Sequence, residues 1–174
     1  MEFYQEFSRY YDYIFPLKEP KLDFLASQAK PGSRVLDVAA GTGNYALALA
    51  KAGYQVEALD LSEKMIRRAR EKAENKDQKG INLNFKVGDM RRLTDNYEPN
   101  SFQLIYCIGN SLVHLEDQAE ITAVLEQMHN LLSETGQLVV QIVNYDRILD
   151  KSVTSLPTIK NEAAGVKLER NYKL

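Results

Sequence analysis

The chain has 174 residues, 44% of them hydrophobic and 26% charged, the makeup of one globular domain large enough to enclose a core. Its 22 Lys and Arg against 24 Asp and Glu leave a net charge of -2, so there is no electrostatic reason to expect a nucleic-acid partner. One cysteine and two histidines argue against a disulfide framework or a metal cluster, and no apolar run reaches the roughly 20 residues of a membrane span, so a reducing, cytoplasmic setting is expected.

An aromatic, mixed-charge segment, MEFYQEFSRYYDYIF, opens the chain with Tyr4, Tyr10, Tyr11 and Tyr13, and a helix is expected around Leu22 to Ala29. Pro31 and Gly32 break it, and Arg34 to Val38 begins a strand. Tyr45 to Ala52 are helix formers ended by Gly53, and Gln55 to Leu59 is a second strand. Ser62 is placed to cap a helix whose Met65, Ile66, Ala69 and Ala73 share one face. Lys72 to Gly80, rich in Lys, Asn, Asp and Gln, reads as a frayed helix end and solvated loop.

Leu83 to Val87 and Phe102 to Ile108 read as the third and fourth strands. Ile121, Val124, Leu125, Met128, Leu131 and Leu132 recur at helical spacing, Gly136 is expected to stop that helix, and Gln137 to Val143 reads as a fifth strand buried on both faces. Five short apolar strands alternating with helices predict an α/β, Rossmann-like, doubly wound and mainly parallel sheet, with ligands at the strands' carboxyl ends.

The most informative stretch is VLDVAAGTGNYALALA, Val35 to Ala50, in which a strand runs into a glycine loop that opens directly into a helix. Gly41 and Gly43 allow backbone angles closed to other residues, and the helix start presents free N–H groups. Gly41-Thr-Gly43-Asn-Tyr-Ala46 also satisfies the dinucleotide pattern G-x-G-x-x-A, so an NAD-dependent oxidoreductase is a rival reading, and Asp60 at the end of the second strand suits a ribose in either case. Asp37, four positions before Gly41, separates the two: a carboxylate there repels phosphate and attracts a cation. The plainer reading of Asp37 is a helix-capping or loop-bracing acid.

VLDVAAGTG, followed by VEALDLS at Val56 to Ser62 and VGDMRRL at Val87 to Leu93, resembles three successive motifs of the class I S-adenosylmethionine-dependent methyltransferases. The resemblance implies an S-adenosylmethionine site, with S-adenosylhomocysteine as product. It places Asp37, Ala39, Gly41, Gly43 and Asn44 around the methionyl part and Asp60 on both ribose hydroxyls. Leu61 and Met65 would cover the adenine, and Gly88, Asp89 and Met90 would meet its amino edge. The family usually has glycine where Ala39 stands, and Met65 taken alone reads as core ahead of cofactor contact.

CIGNSLVHLED, Cys107 to Asp117, and QIVNYDRIL, Gln141 to Leu149, resemble the glycine and sarcosine N-methyltransferase branch of that family. Carried over, Asn110, His114, Asn144 and Tyr145 are candidates near the transferring methyl or its acceptor, with Cys107, Ile108 and Ser111 beside the cofactor and the Cys107 carbonyl facing its ammonium. Asn110 and Asn144 also suit turn caps, and His114, between Val113 and Leu115, also suits a packed core position. In similar enzymes the N-terminal segment closes over the cofactor, and Tyr11-Asp12 matches that pattern; the alternative is a hydrophobic helix docked on the sheet.

The expected organisation is an N-terminal helical cap over residues 1–30, a cofactor-binding domain over 31–150 and the start of a substrate-covering segment over 151–174. Val166 and Leu168 alternate as a strand would, with no partner strand expected to follow, so the sheet is expected to lack the family's last two strands. The implied activity is methyl transfer to a small-molecule amine or hydroxyl, with a non-catalytic cofactor-binding module as a further reading. Oligomeric state is not legible.

Overall fold

The computed structural model describes residues 7–74 and 80–172, so Tyr4 and residues 75–79 of the charge-rich stretch lie outside the described residues. Two short or modest helices come first, α1 (Tyr11–Ile14) and α2 (Glu19–Ser27), and then β1 (Arg34–Val38), α3 (Asn44–Lys51), β2 (Gln55–Asp60), α4 (Glu63–Glu74) and β3 (Leu83–Val87). A 3-10 turn at Met90–Asp95 leads to β4 (Phe102–Cys107), and another at Leu112–His114 to α5 (Gln118–Leu131), β5 (Leu132–Val140), α6 (Tyr145–Asp150), β6 (Ser155–Asn161) and β7 (Val166–Asn171).

Five strands pair in the order β3-β2-β1-β4-β5, every neighbouring pair parallel, which is the expected Rossmann-like sheet. The order reverses between β1 and β4, opening a crevice at the carboxyl ends. Val35 to Val38 are all buried because helices cover both faces of this central strand. Val35, Ala46, Leu49, Val56, Ile66, Phe85 and Tyr106 make one apolar layer. Leu36, Val38, Leu59, Phe102, Ile105, Val124, Met128 and Leu131 make the other. The strand's two-residue period sends Asp37 to the Val35 side, opposite Leu36 and Val38.

Local chemistry sets several boundaries. Pro20 lies in the first turn of α2, where its missing N–H removes no helical hydrogen bond, so the helix begins earlier than the apolar pattern suggested. Ser62 Oγ accepts from the Met65 amide at the start of α4, and Asp117 accepts from the Glu120 amide at the start of α5.

The fifth strand differs from expectation. Helix α5 ends at Leu131, and Gly136 lies inside β5, where an added side-chain carbon would sit 2.8 Å from the Phe102 carbonyl oxygen. The pairing jumps from Phe102 with Leu132 to Leu104 with Gln137, so the intervening residues bulge. Strand β5 stops at Val140 and is one of the two outer strands of the sheet, leaving Val140 39% and Ile142 49% exposed rather than buried on both faces. The Val166 strand also has a partner: it folds back antiparallel on the preceding Ser155–Asn161 as a separate hairpin. No helix among the described residues is long and apolar enough to cross a membrane.

Candidate functional site

The glycine loop leaves β1 through Ala39, whose φ of 61° lies in the left-handed region that L side chains disfavour. Ala40 donates to the Leu59 carbonyl at 2.9 Å, and Gly41 donates to Oδ2 of Asp60 at 2.8 Å. Gly43, at φ 73°, starts α3, and a side chain there would meet the Phe85 ring at 2.5 Å. With no side chain at that position to cap it, the α3 N-terminus is a region of partial positive charge facing the crevice.

Three acids stand at the ends of three strands. Asp37 is buried and accepts a 2.8 Å hydrogen bond from the Tyr106 hydroxyl. Burial pushes its carboxyl up to about 8, against the pull of that hydrogen bond, and the charge of Asp60 pushes the same way as burial. Asp60 accepts from Ser62 N at Oδ1, 2.8 Å, and from Gly41 at Oδ2, which fixes its plane; burial raises its pKa and these two bonds lower it. Its remaining lone pairs can accept two further donors, as a ribose diol supplies.

The Asp89 carboxylate is engaged by Arg91, with Nη2 2.6 Å from Oδ2 and the Arg91 amide 2.9 Å from Oδ1. Arg91 holds its pKa below the usual carboxylate range. Gly88 donates to the Asp60 carbonyl at 3.0 Å, tying the third strand end to the second. Leu61 is 47% exposed beside Asp60, whereas Met65 is 2% exposed and thus a core residue by its burial; Met90 is partly buried against the second apolar layer.

Helix α1 lies over the loop. The Tyr11 ring is so near Gly41 that an added side-chain carbon there would be 3.3 Å from Cε1, Cζ and Oη. Asp12 binds beneath it: Oδ1 accepts from the Thr42 hydroxyl and from Asn44 Nδ2 at 2.8 Å, and Oδ2 accepts from Lys72 Nζ at 2.9 Å. The Asn44 side chain is thereby committed to Asp12 and Lys72. Burial lowers the Lys72 pKa, and the Asp12 carboxylate opposes that fall.

The ends of β4 and β5 meet through Asn110. Its Nδ2 donates to the Tyr145 hydroxyl at 2.8 Å and its Oδ1 accepts from the Val143 amide at 2.9 Å, with φ at 77°. Asn144 accepts from the Arg147 amide and caps α6, so its side chain serves the turn. Ser111 Oγ reaches the Ile108 carbonyl at 3.5 Å, and Ile108 packs against the first apolar layer. His114 lies on the second 3-10 turn and is exposed, so the packed-core alternative does not hold. Burial pushes the Cys107 thiol up to about 12, which leaves it no nucleophile, and its carbonyl already accepts from Gln141 N at 3.0 Å.

Sequence reasoning missed Tyr106, Arg91, Lys72 and Gln141. Tyr106 stands beside Asp37 in the β1–β4 register, which no local pattern reveals. Gln141 Oε1 accepts from Gly109 N at 3.1 Å and Lys21 Nζ at 3.2 Å, closing a 530 Å³ apolar cleft lined by Lys21, Phe24, Ile108, Leu138 and Val140. That cleft runs along the outer strand, away from the acids, and lacks their convergent polar groups.

Residues 35–136 match the family profile described as "Methyltransferase domain". The chain is 34% identical over 139 residues to the glycine/sarcosine N-methyltransferase of Aphanothece halophytica, covering 80% of this chain and 51% of that protein. It thus spans about half the length of the curated relatives it matches. Among solved structures, the PH0226 protein from Pyrococcus horikoshii OT3 superposes with a TM-score of 0.65 at 28% identity, covering 88% of this chain and 71% of that one. A Haemonchus contortus phosphoethanolamine N-methyltransferase 2 in complex with S-adenosyl-L-methionine has the same fold, with a TM-score of 0.64 at 24% identity over 78% of this chain and 32% of that one.

Proposed function

This chain belongs to the methyltransferase-domain family, and from that premise we propose that it binds S-adenosylmethionine at the ends of β1, β2 and β3 and directs in-line methyl transfer to a small-molecule amine or hydroxyl. The observation that carries this reading is the buried acid Asp37 under the loop, where a pyrophosphate binder needs room for two anions. An acid there, ionised by a neighbouring ammonium, suits a ligand with a cation and no phosphate, which argues against the dinucleotide alternative, whereas Asp60 suits a ribose diol in either case.

When bound, S-adenosylmethionine supplies an electrophilic methyl on a sulfonium, already a good leaving group. The residues present therefore need to bind, align and exclude water. Asp60 would hold the ribose, Asp37 the ammonium through water or nearby backbone groups, and the Asp89 side an adenine edge, with Leu61 over its face. Tyr11 would cover the methionyl end. The Tyr145 hydroxyl, oriented by Asn110, would hydrogen-bond the acceptor. Asn144 and His114 are retained as acceptor-side candidates, the first through its turn and the second through its exposure at the β4 end. We assign the reaction to a reducing, cytoplasmic setting on the strength of the single buried Cys107.

Calorimetric titration with S-adenosylhomocysteine and with NADH separates the readings: the first is expected to bind and the second not, and binding of NADH alone overturns the proposal. Transfer of labelled methyl to glycine and sarcosine, the acceptors in the relatives' names, is the first assay of turnover.

A further inference from the structure

Three pieces of chain meet at Asp12: helix α1, the glycine loop with the start of α3, and the last turns of α4. Lys72 Nζ lies 2.9 Å from Asp12 Oδ2 and 2.5 Å from Asn44 Oδ1, so one ammonium joins all three. Both side chains are only partly exposed, 29% for Lys72 and 40% for Asp12, and Thr42, the hydroxyl donor to the same carboxylate, is 1% exposed. A charge-assisted pair in such a setting is stronger than a surface pair, because water competes less for either partner.

The neighbour of Asp12 is Tyr11, whose ring rests on Gly41 and packs against Phe7 and Phe15 at centroid distances of 6.0 and 5.2 Å. Helix α1 is only four residues long and makes no side-chain cap, so helix formation alone does not hold it in place. Its placement depends on the aromatic contacts, on the polar contacts at Asp12, and on the β6–β7 hairpin at its other end, where Asn161 Nδ2 donates to the Tyr13 carbonyl at 3.2 Å; the polar contacts at Asp12 are those that tie it to the glycine loop. The polar set uses groups that an anchor for a merely docked helix would not need: a lysine reaching from α4, and an asparagine at the mouth of the loop.

We propose that Lys72 and Asp12 form an ionic latch that holds Tyr11 closed over the cofactor loop, making both positioning residues for ligand retention. The proposal rests on the reading above that S-adenosylmethionine occupies this loop. Lys72 bonds Asp12 and Asn44, on the cofactor side of the loop. Its effect passes through α1 to the rate at which a bound ligand escapes, and the association rate and the acceptor side are left alone.

The test is stopped-flow dissociation of S-adenosylhomocysteine from the whole chain, with Lys72→Met, Lys72→Arg, Tyr11→Ala and the Lys72→Met/Tyr11→Ala pair. Lys72→Met is expected to speed dissociation by about tenfold, the effect of losing one charge-assisted contact. Lys72→Arg, which keeps the charge, is expected to restore most of it. Tyr11→Ala should speed dissociation similarly, and the double variant should be no faster than the faster single one. Amide exchange in the ligand-free chain gives a second readout: Lys72→Met should exchange faster across residues 8–15 and unchanged in β1 and β4. Unaltered dissociation in Lys72→Met, or single effects that multiply in the double variant, overturns the latch while leaving the cofactor reading intact. Failure of the wild-type chain to bind S-adenosylhomocysteine removes both. A general loss of protection across the sheet in Lys72→Met assigns Lys72 a structural role and also overturns the latch.

Discussion

The Tyr106 hydroxyl donates a 2.8 Å hydrogen bond to Asp37 Oδ2 between residues that stand opposite each other in the β1–β4 register, both of them buried. A carboxyl in such a place is hard to ionise, and burial dominates its titration even with a donor in contact.

Stability against pH follows from that pair. Asp37 ionises near 8 in the fold and near 3.8 when unfolded, so the folded chain keeps a proton that the unfolded chain loses between those values. The contribution is full below about 4, declines as pH rises, and levels off above about 8. Urea unfolding at pH 5 and pH 9 is expected to show this decline in the wild type and less of it in Asp37→Asn; equal declines mean that Asp37 ionises normally.

Ligand binding should release a proton. An ammonium placed near Asp37 favours the carboxylate and pulls its pKa down, so at pH 6.5, below the ligand-free value of about 8, the carboxyl gives up its proton as S-adenosylhomocysteine binds. Calorimetry in phosphate and in Tris, whose ionisation enthalpies differ, should give different apparent enthalpies for the wild type and equal ones for Asp37→Asn. Equal enthalpies in the wild type would place the ammonium elsewhere.

Asp60→Ala should weaken S-adenosylhomocysteine by about 1–3 kcal/mol, the usual effect of leaving hydrogen-bonding groups unpartnered. The same substitution frees the Gly41 and Ser62 amides, so the loop loses an internal brace as well. Unchanged affinity by calorimetry would show that Asp60 does not hold the ribose.

Two substitutions in the loop should act in opposite directions. Ala39→Gly relieves a left-handed alanine, about 1–2 kcal/mol, against roughly 0.5–1 kcal/mol of added chain entropy, so denaturant unfolding should show a small net gain. Gly43→Ala both strains φ and drives a methyl to 2.5 Å from the Phe85 ring, so it should destabilise by about 2–4 kcal/mol. Phe85→Leu in the same chain should recover part of that loss, because the obstruction is the ring; no recovery would leave backbone strain as the whole cause.

Tyr145→Phe should lower turnover by about 10–100-fold through acceptor misplacement, while S-adenosylhomocysteine affinity stays the same. It also strips Asn110 Nδ2 of its hydroxyl partner. A matched fall in affinity would move Tyr145 to the cofactor side.

Much of this architecture was legible because it is local. Apolar strands separated by amphipathic helices dictate a parallel α/β sheet, and β3 runs from Leu83 to Val87 as its alternation predicts. Asp37 and Asp60 could be named because each comes at or near the end of a run of strand residues, and strand ends gather on one side of such a sheet; Asp89 was named through the resemblance of VGDMRRL to a family motif. The outer strand was less legible. Flanking helices suggested burial on both faces of β5, but which strand lies at the edge depends on pairing order, and the bulge at Gly136 comes from the approach of Phe102 across strands.

By itself, then, the sequence determined the sheet, the glycine loop and the positions of Asp37 and Asp60, because periodicity and turn chemistry act within a few residues. Only the tertiary structure decided what each acid faces: Tyr106 on Asp37 from 69 residues away, the Gly41 amide on Asp60 from 19 and Lys72 on Asp12 from 60. Hydrogen bonds and desolvation act through space, so the titration of Asp37 and the anchoring of Tyr11 exist only once β1, β4 and α4 have packed together.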